Sequence, residues 1–359
     1  MKKIAIVDPS SYALPYDYHY IKALSGSYLI DFYCSSSRFN ESYLTDIEKL
    51  PNVTVKKYSI SNVNRILGLL GLIRMYSMIV LSNKYYASIN IQWSVLKIID
   101  LFLYSLVKNK LVFTFHNVKP HKLNKSSSIF DFLIYKISKK VIFVSRYTMD
   151  EFLKVHSLRG KKSFLLNHGC MPLVDNKKNI YSKSVKHQGS LKAVFWGNVK
   201  EYKGLGFLVD SLDKLTANGI DLEVYGKFDI DQKKYHEKLV SKGCISINDY
   251  LNLDYVANIL TRPDVLVVLP YKNASQSGVM YNLLAHNIPF IATKTGETYR
   301  FLVENGLEEM SFEYGNSESL IQAFNYFSKN KDFVISKFIE VNHNYNWKYD
   351  NESLKKIFG

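Results

Sequence analysis

Two stretches of the chain place residue types that can hold a phosphate. The first, Gly197-Asn198-Val199-Lys200-Glu201-Tyr202-Lys203-Gly204, follows the apolar run 192–196 (KAVFW) and opens a helical pattern. Gly197 permits a close approach of backbone, and Lys203, at the turn into the helix, can put an ammonium beside a phosphate. A glycine turn with a solvated lysine is the plainer alternative. The second stretch, residues 264–297, has two apolar runs, 265–269 (VLVVL) and 290–292 (FIA), separated by a small-residue loop at 273–278 and a helical segment at 279–286. This loop leaves the C-terminal end of a strand and opens a helix. It therefore offers backbone N–H groups at Gln276, Ser277 and Gly278, together with the positive end of a helix, to an anion. Ser and Gly also serve as ordinary helix caps, and that reading stands beside the first. Neither stretch has the G-x-G-x-x-G spacing of a dinucleotide fold or the Walker spacing of a P-loop.

The elements that must position these residues follow from hydrophobic periodicity. Continuous apolar runs suit strands buried on both faces of a parallel sheet with helical crossovers. In the first half such runs lie at 3–7, 28–34, 53–58, 88–93, 110–115 and 141–144, with helical patterns around 18–25, 95–107 and 148–155. Between 170 and 190 the sequence turns polar and loses periodicity, as a linker does. A second series follows: strands at 192–196, 221–225 and 244–247, helices at 206–217 and 232–242, then the 264–297 stretch. The fold class is α/β, with two Rossmann-like domains facing a cleft. The predicted boundaries are 1–172, a linker at 173–190, a second domain at 191–340, and a terminal helix at 341–359.

Composition narrows the function classes. The 359 residues are 47% hydrophobic and 22% charged, an ordinary globular balance. Three scattered cysteines, Cys34, Cys170 and Cys244, fit a reducing compartment and neither a disulfide framework nor a zinc site. MKKIAIVD lacks the apolar core of a signal peptide, which points to the cytoplasm. The most apolar stretch, 66–81, carries Arg74 and falls short of the roughly 20 residues a spanning helix needs; it reads as a buried helix or one lying in a membrane surface. Residues 1–170 hold 24 Lys and Arg against 10 Asp and Glu, whereas residues 171–359 hold 23 against 22. An excess confined to one half suggests a domain facing a polyanion or an anionic membrane. No DNA- or RNA-binding motif accompanies it, so nucleic acid is not an expected partner.

In order and spacing, WGNVKEYKGLGFLVDSLDKL, LEVYGK and LPYKNASQSGVMYNLLAHNIPFIATKTGE resemble the donor domain of GT-B glycosyltransferases, most closely family 4 (group 1). FTFHNVKPH, VIFVSRYTMDEFL and NHGC resemble more generic segments of that family's N-terminal domain. YNWKYDNESLKKIF is similar to its terminal helix, which crosses back to the first domain. The resemblance implies transfer of a sugar from a nucleoside-diphosphate donor to a glycan. The acceptor would be lipid-linked, at the anionic cytoplasmic face of the inner membrane, in bacterial surface polysaccharide synthesis. Neither cofactor nor metal is implied.

By the same resemblance, Lys203 matches the lysine on the donor diphosphate and Gly197 the glycine beside it. Asn198 stands where the family usually has an arginine. The family's two acids fall on Ala274 and Asn282, neither of which carries charge; Asn282 can still bond a ribose hydroxyl. A catalytically inactive nucleotide-sugar binder is therefore the alternative, together with a basic membrane or polyanion binder. Glu297, the carboxylate nearest the loop, would bind ribose or sugar hydroxyls, or cap the helix that follows. In the first half His116 matches the histidine near the transferred sugar, as hydrogen-bonding group or proton acceptor. Asp17, in PYDYH, is the best-placed general base, with a helix cap as its plain alternative. His116 and His121 have a possible metal spacing but lack a third ligand.

Overall fold

Runs of Val, Ile, Leu and Phe with no polar alternation fold here as parallel strands covered on both faces. The structure is a computed structural model that describes residues 1–36, 41–60, 65–117, 125–157, 162–174, 190–273 and 276–359. It divides into two compact units, residues 1–169 with 347–359, and residues 170–346.

In the first unit the elements run β1 (Lys2–Asp8), α1 (Leu14–Ser25), β2 (Tyr28–Ser35), α2 (Glu41–Glu48), β3 (Val53–Tyr58), α3 (Arg65–Leu81), β4 (Ser88–Ile91), α4 (Lys97–Leu106), β5 (Leu111–Phe115), α5 (Lys125–Ile137), β6 (Lys140–Phe143), α6 (Arg146–Val155) and β7 (Ser163–Leu165). The strands pair in the order β3-β2-β1-β4-β5-β6-β7, all parallel. The chain order reverses between β1 and β4, and a doubly wound sheet has its ligand crevice beyond the strand ends at such a point.

The second unit has β8 (Leu191–Trp196), α7 (Leu205–Asp210), α8 (Leu212–Ala217), β9 (Ile220–Tyr225), α9 (Lys233–Ser241), β10 (Ile245–Ile247), α10 (Leu253–Leu260), β11 (Val265–Leu269), α11 (Gly278–Ala285), β12 (Phe290–Thr293), α12 (Gly296–Glu304), β13 (Ser311–Phe312), α13 (Ser317–Lys329) and α14 (Lys331–Asn342). Its sheet order, β10-β9-β8-β11-β12-β13, reverses between β8 and β11. Every residue of β11 is buried, as its uninterrupted apolar run requires.

Three boundaries differ from the sequence reading. The helix expected over 206–217 is two helices, because the Ser211 hydroxyl donates to the Phe207 carbonyl at 2.8 Å and competes with the backbone ladder. The terminal helix is shorter than 341–359. Residues 341–342 close α14, Trp347 lies in irregular chain, and α15 covers only Asn351–Phe358, capped by Asp350 on the N–H of Ser353. Cys170 and Met171 belong with the second unit, their N–H groups donating to the carbonyls of Tyr345 and Tyr281 at 2.8 and 3.2 Å. α15 joins the first unit: Leu354, Ile357 and Phe358 are buried, and Phe358 meets Tyr28 edge-on at 5.7 Å. The expected linker falls almost wholly outside the described residues.

Candidate active site

The switch point of the second unit is built from backbone. β8 ends at Trp196, and Gly197 turns with φ +115. Gly226, at the end of β9, packs directly on it: a Cβ at Gly226 would lie 2.2 Å from the Gly197 carbonyl oxygen. A single 3₁₀ turn, Glu201–Lys203, then leads through left-handed Gly204 into α7. A Cβ on Gly204 would meet the Pro270 carbonyl at 1.9 Å, and the Lys272 N–H donates to the Tyr202 carbonyl at 2.8 Å. The turn after β8 is thus locked to the loop after β11.

This lock carries Lys203 to the anion end. A Cβ built on Gly197 would lie 2.8 Å from Lys203 Nζ and 3.5 Å from Val279 Cγ2, so the ammonium and the first turn of α11 flank the same glycine. Lys203 makes no ion pair among the described residues. Burial, and secondarily Lys200, pull its pKa down to about 8. Across the turn, Ser277 caps α11. Its hydroxyl accepts from the Met280 N–H at 3.3 Å and shares a 2.9 Å hydrogen bond with Tyr271. Thr293 in turn donates to the Tyr271 carbonyl at 2.7 Å. The first-turn N–H groups beginning at Gly278 are of the kind that lack helical partners. Charge deficit, buried ammonium and helix end together suit a diphosphate.

The other expected residues divide. Asn198 is exposed and makes no side-chain hydrogen bond among the described residues. Gln276 is half-buried, its amide 3.5 Å from the Tyr281 hydroxyl. Asn282 holds the fold together. Its amide donates to the Met171 carbonyl at 2.7 Å, and with His286, whose Nε2 accepts from the Leu173 N–H at 2.9 Å, it pins the entering chain to α11. That commitment uses one amide N–H and leaves the other N–H and the oxygen for a ligand. Glu297 is buried in the first turn of α12, close enough to Tyr281 and Tyr345 to help push both phenols up. Its carboxylate suits the positive helix end, although the N-cap residue is Thr295. Ala274 lies outside the described residues, as does His121.

In the first unit, Asp17 and His116 both sit near the β1/β4 switch point, and burial changes their chemistry. Asp17 is wholly buried in α1, and neither of its oxygens is met by a donor among the described residues. Burial first, then the carboxyl of Asp8 at the end of β1, raises its pKa well above the usual range. An enclosed carboxyl is out of reach of an acceptor hydroxyl, and it does not serve as the N-cap, which is Ala13. His116 follows β5, with Nε2 3.1 Å from Gln92 Oε1. Trp93 stacks on it at 4.1 Å and Tyr16 meets it edge-on at 4.8 Å. Burial, then His168, lowers its pKa to about 3, so it is a neutral hydrogen-bonding group near pH 7.

Sequence reasoning included His168 and Trp347 only within the segments NHGC and YNWKYDNESLKKIF, and Trp93 only at the end of an apolar run, and gave none of them a role in the site. His168 is likewise held neutral by burial, with a pKa of about 3, and its Nδ1 lies 2.7 Å from the Gly169 carbonyl. Trp347 packs against Tyr16, His19 and His168, with ring centroids 5.2 to 5.6 Å apart. The available signal was positional: Trp93 closes the β4 run, and His168 precedes a glycine on which a Cβ would strike Trp347.

Comparison with known proteins agrees with this construction. Residues 190–330 match the family model described as Glycosyl transferases group 1. Among solved structures, sucrose-phosphate synthase from Thermosynechococcus elongatus superposes with a TM-score of 0.72 at 14% identity, covering 99% of this chain and 97% of that one. Anabaena HepE, solved with UDP and glucose, gives 0.70 at 14% identity, covering 97% and 96%. WaaG, a glycosyltransferase involved in lipopolysaccharide biosynthesis, gives 0.62 at 10% identity, covering 95% and 94%. No curated protein matches the sequence. The architecture is that of a GT-B protein. The group 1 glycosyltransferase likeness is carried by residues 190–330, within the second unit, and the GT-B likeness of the whole chain is one of fold.

Proposed function

We propose that this protein is a glycosyltransferase that moves a sugar from a nucleoside-diphosphate donor to a hydroxyl of a lipid-linked glycan, at an anionic membrane surface, in the assembly of bacterial surface polysaccharide. The observation that carries the donor assignment is Lys203, an ammonium with no ion pair among the described residues, enclosed beside Gly197 and the first turn of α11. As the bond from sugar to diphosphate breaks, negative charge grows on the leaving oxygen. A preorganised cation and helix end stabilise that charge most where water is excluded. Because this charge is supplied by the protein itself, transfer is proposed to survive a chelator. The acceptor proposal is supported by the basic bias of residues 1–170 and by the lipopolysaccharide role of WaaG. His116 is proposed to hydrogen-bond the transferred sugar.

The test incubates purified protein with nucleotide sugars and a lipid-linked glycan extract, and reads the product by mass spectrometry. A mass increment of one sugar supports the assignment, and absence of both transfer and donor hydrolysis defeats it. Asn282, bonded to Met171, and the enclosed Asp17 favour one rival, an inactive nucleotide-sugar binder. The rival predicts calorimetric UDP binding, lost in Lys203→Ala, with no turnover.

A further inference from the structure

The apolar stretch 66–81 is neither buried nor spanning. α3 turns Leu72, Met75, Tyr76 and Ile79 into the core, and a second apolar stripe, Ile66, Leu70, Ile73 and Leu81, faces solvent, with Ile66 74% exposed. An α-helix that is apolar all round is ordinarily enclosed. Its neighbour α4 repeats the pattern: Ile98 is 87% and Phe102 65% exposed. The two helices are bonded together, the Tyr76 hydroxyl donating to Asp100 at 3.0 Å and lying 3.3 Å from that of Tyr104. No helix among the described residues is long and apolar enough to cross a membrane.

Beside this face, between β3 and α3, lies a cavity of about 600 Å³. Its walls bring Lys56, Lys57 and Arg74 together with Leu67, Leu70 and Met78. Lys56 shares the buried Asp31 with Lys3, at 2.7 and 3.0 Å, so two ammoniums meet one carboxylate. Lys57 pairs with Glu48 at 2.7 Å, and Arg74 has no ion pair among the described residues. The cavity therefore keeps a positive surplus at the edge of an exposed apolar face. A soluble anion would explain the charge but not the apolar stripe, and a second protein chain would explain the stripe but not the unpaired guanidinium. An anionic phospholipid explains both.

We propose that α3 and α4 lie in the interface of an anionic bilayer and that the cavity at Lys56, Lys57 and Arg74 receives a phospholipid headgroup phosphate. This deepens the membrane part of the proposed function by naming the surface and the headgroup chemistry. Aliphatic side chains enter the acyl boundary while the cations meet phosphate, the two contributions that set the strength of interfacial binding.

Co-sedimentation of the full chain with vesicles of phosphatidylcholine, alone or mixed with phosphatidylglycerol, tests it. The wild-type protein is expected to partition about ten-fold better into the anionic vesicles, Ile98→Ser/Phe102→Ser to lose about ten-fold on both, and Arg74→Gln to lose about five-fold on the anionic ones alone. All three residues lie in the first unit, so hydrogen exchange of β1 and β4, which should match wild type in each variant, reports folding. Variants that partition like wild type, or a wild type that stays in solution, overturn the proposal. So does Arg74-dependent binding of inorganic phosphate without vesicle binding, or a dimer that the serine variants dissociate. Failure of sugar transfer alongside normal vesicle partitioning would instead count against the enzymatic assignment.

Discussion

Burial and Lys200 hold the Lys203 ammonium at a pKa of about 8, and a bound diphosphate acts in the opposite direction by favouring the charged form. The sign follows: below pH 8 the free protein carries the charge and nucleotide binding is strong, and as pH rises through 8 binding must recover a lost proton. UDP affinity measured by calorimetry should hold on the acid side of 8 and decline above it. Lys203→Arg should flatten that decline, because a guanidinium stays charged, whereas Lys203→Ala should lose about ten-fold or more at neutral pH. This residue was legible because its setting is local, six positions of chain between two glycines. Asp17 was not. Its turn-rich surroundings read as an exposed mouth, yet α1 begins at Leu14 and turns the carboxyl inward against Asp8, a consequence of tertiary packing that spacing does not encode.

At the scale of elements, the proposed donor site depends on backbone meeting backbone. Gly204, with φ +71, leaves no room for a Cβ against the Pro270 carbonyl. Gly204→Ala should therefore separate the β8 turn from the β11 loop, lowering stability by about 1 to 3 kcal/mol through strain and clash and UDP affinity with it. Denaturant unfolding and calorimetry on the same sample check both, and wild-type values for both would refute the lock. The strands themselves were readable wherever the apolar run was continuous, as in β1, β8 and β11. β7 and β13, three and two residues long, offer too few positions for any period to show. The expected helix over 206–217 failed at Ser211 because a hydroxyl bond to the preceding turn is invisible to hydrophobic periodicity. The two faces of α3 were equally hidden: an all-apolar segment has no period from which to choose the buried side.

At the scale of the molecule, Trp347 ties the final segment to the first unit through Tyr16, His19 and His168. Trp347→Ala should cost about 2 kcal/mol, less than a fully buried tryptophan would, since the ring is half-buried. Hydrogen exchange should quicken in β1 and β4 while β8 and β11 keep their protection; equal loss in both sheets would contradict the division into units. That division was partly legible: the polar stretch 173–190 announces a boundary, and the return of the final segment to the first unit was read from the resemblance of YNWKYDNESLKKIF, since its spacing alone does not say which unit it joins. The second unit is one uninterrupted stretch, residues 170–346, whereas the first is assembled from residues 1–169 and 347–359. During synthesis the β1–β7 sheet must therefore wait, unsealed, until residues 347–359 emerge, while the second unit has its whole sequence beforehand and can fold as the chain grows.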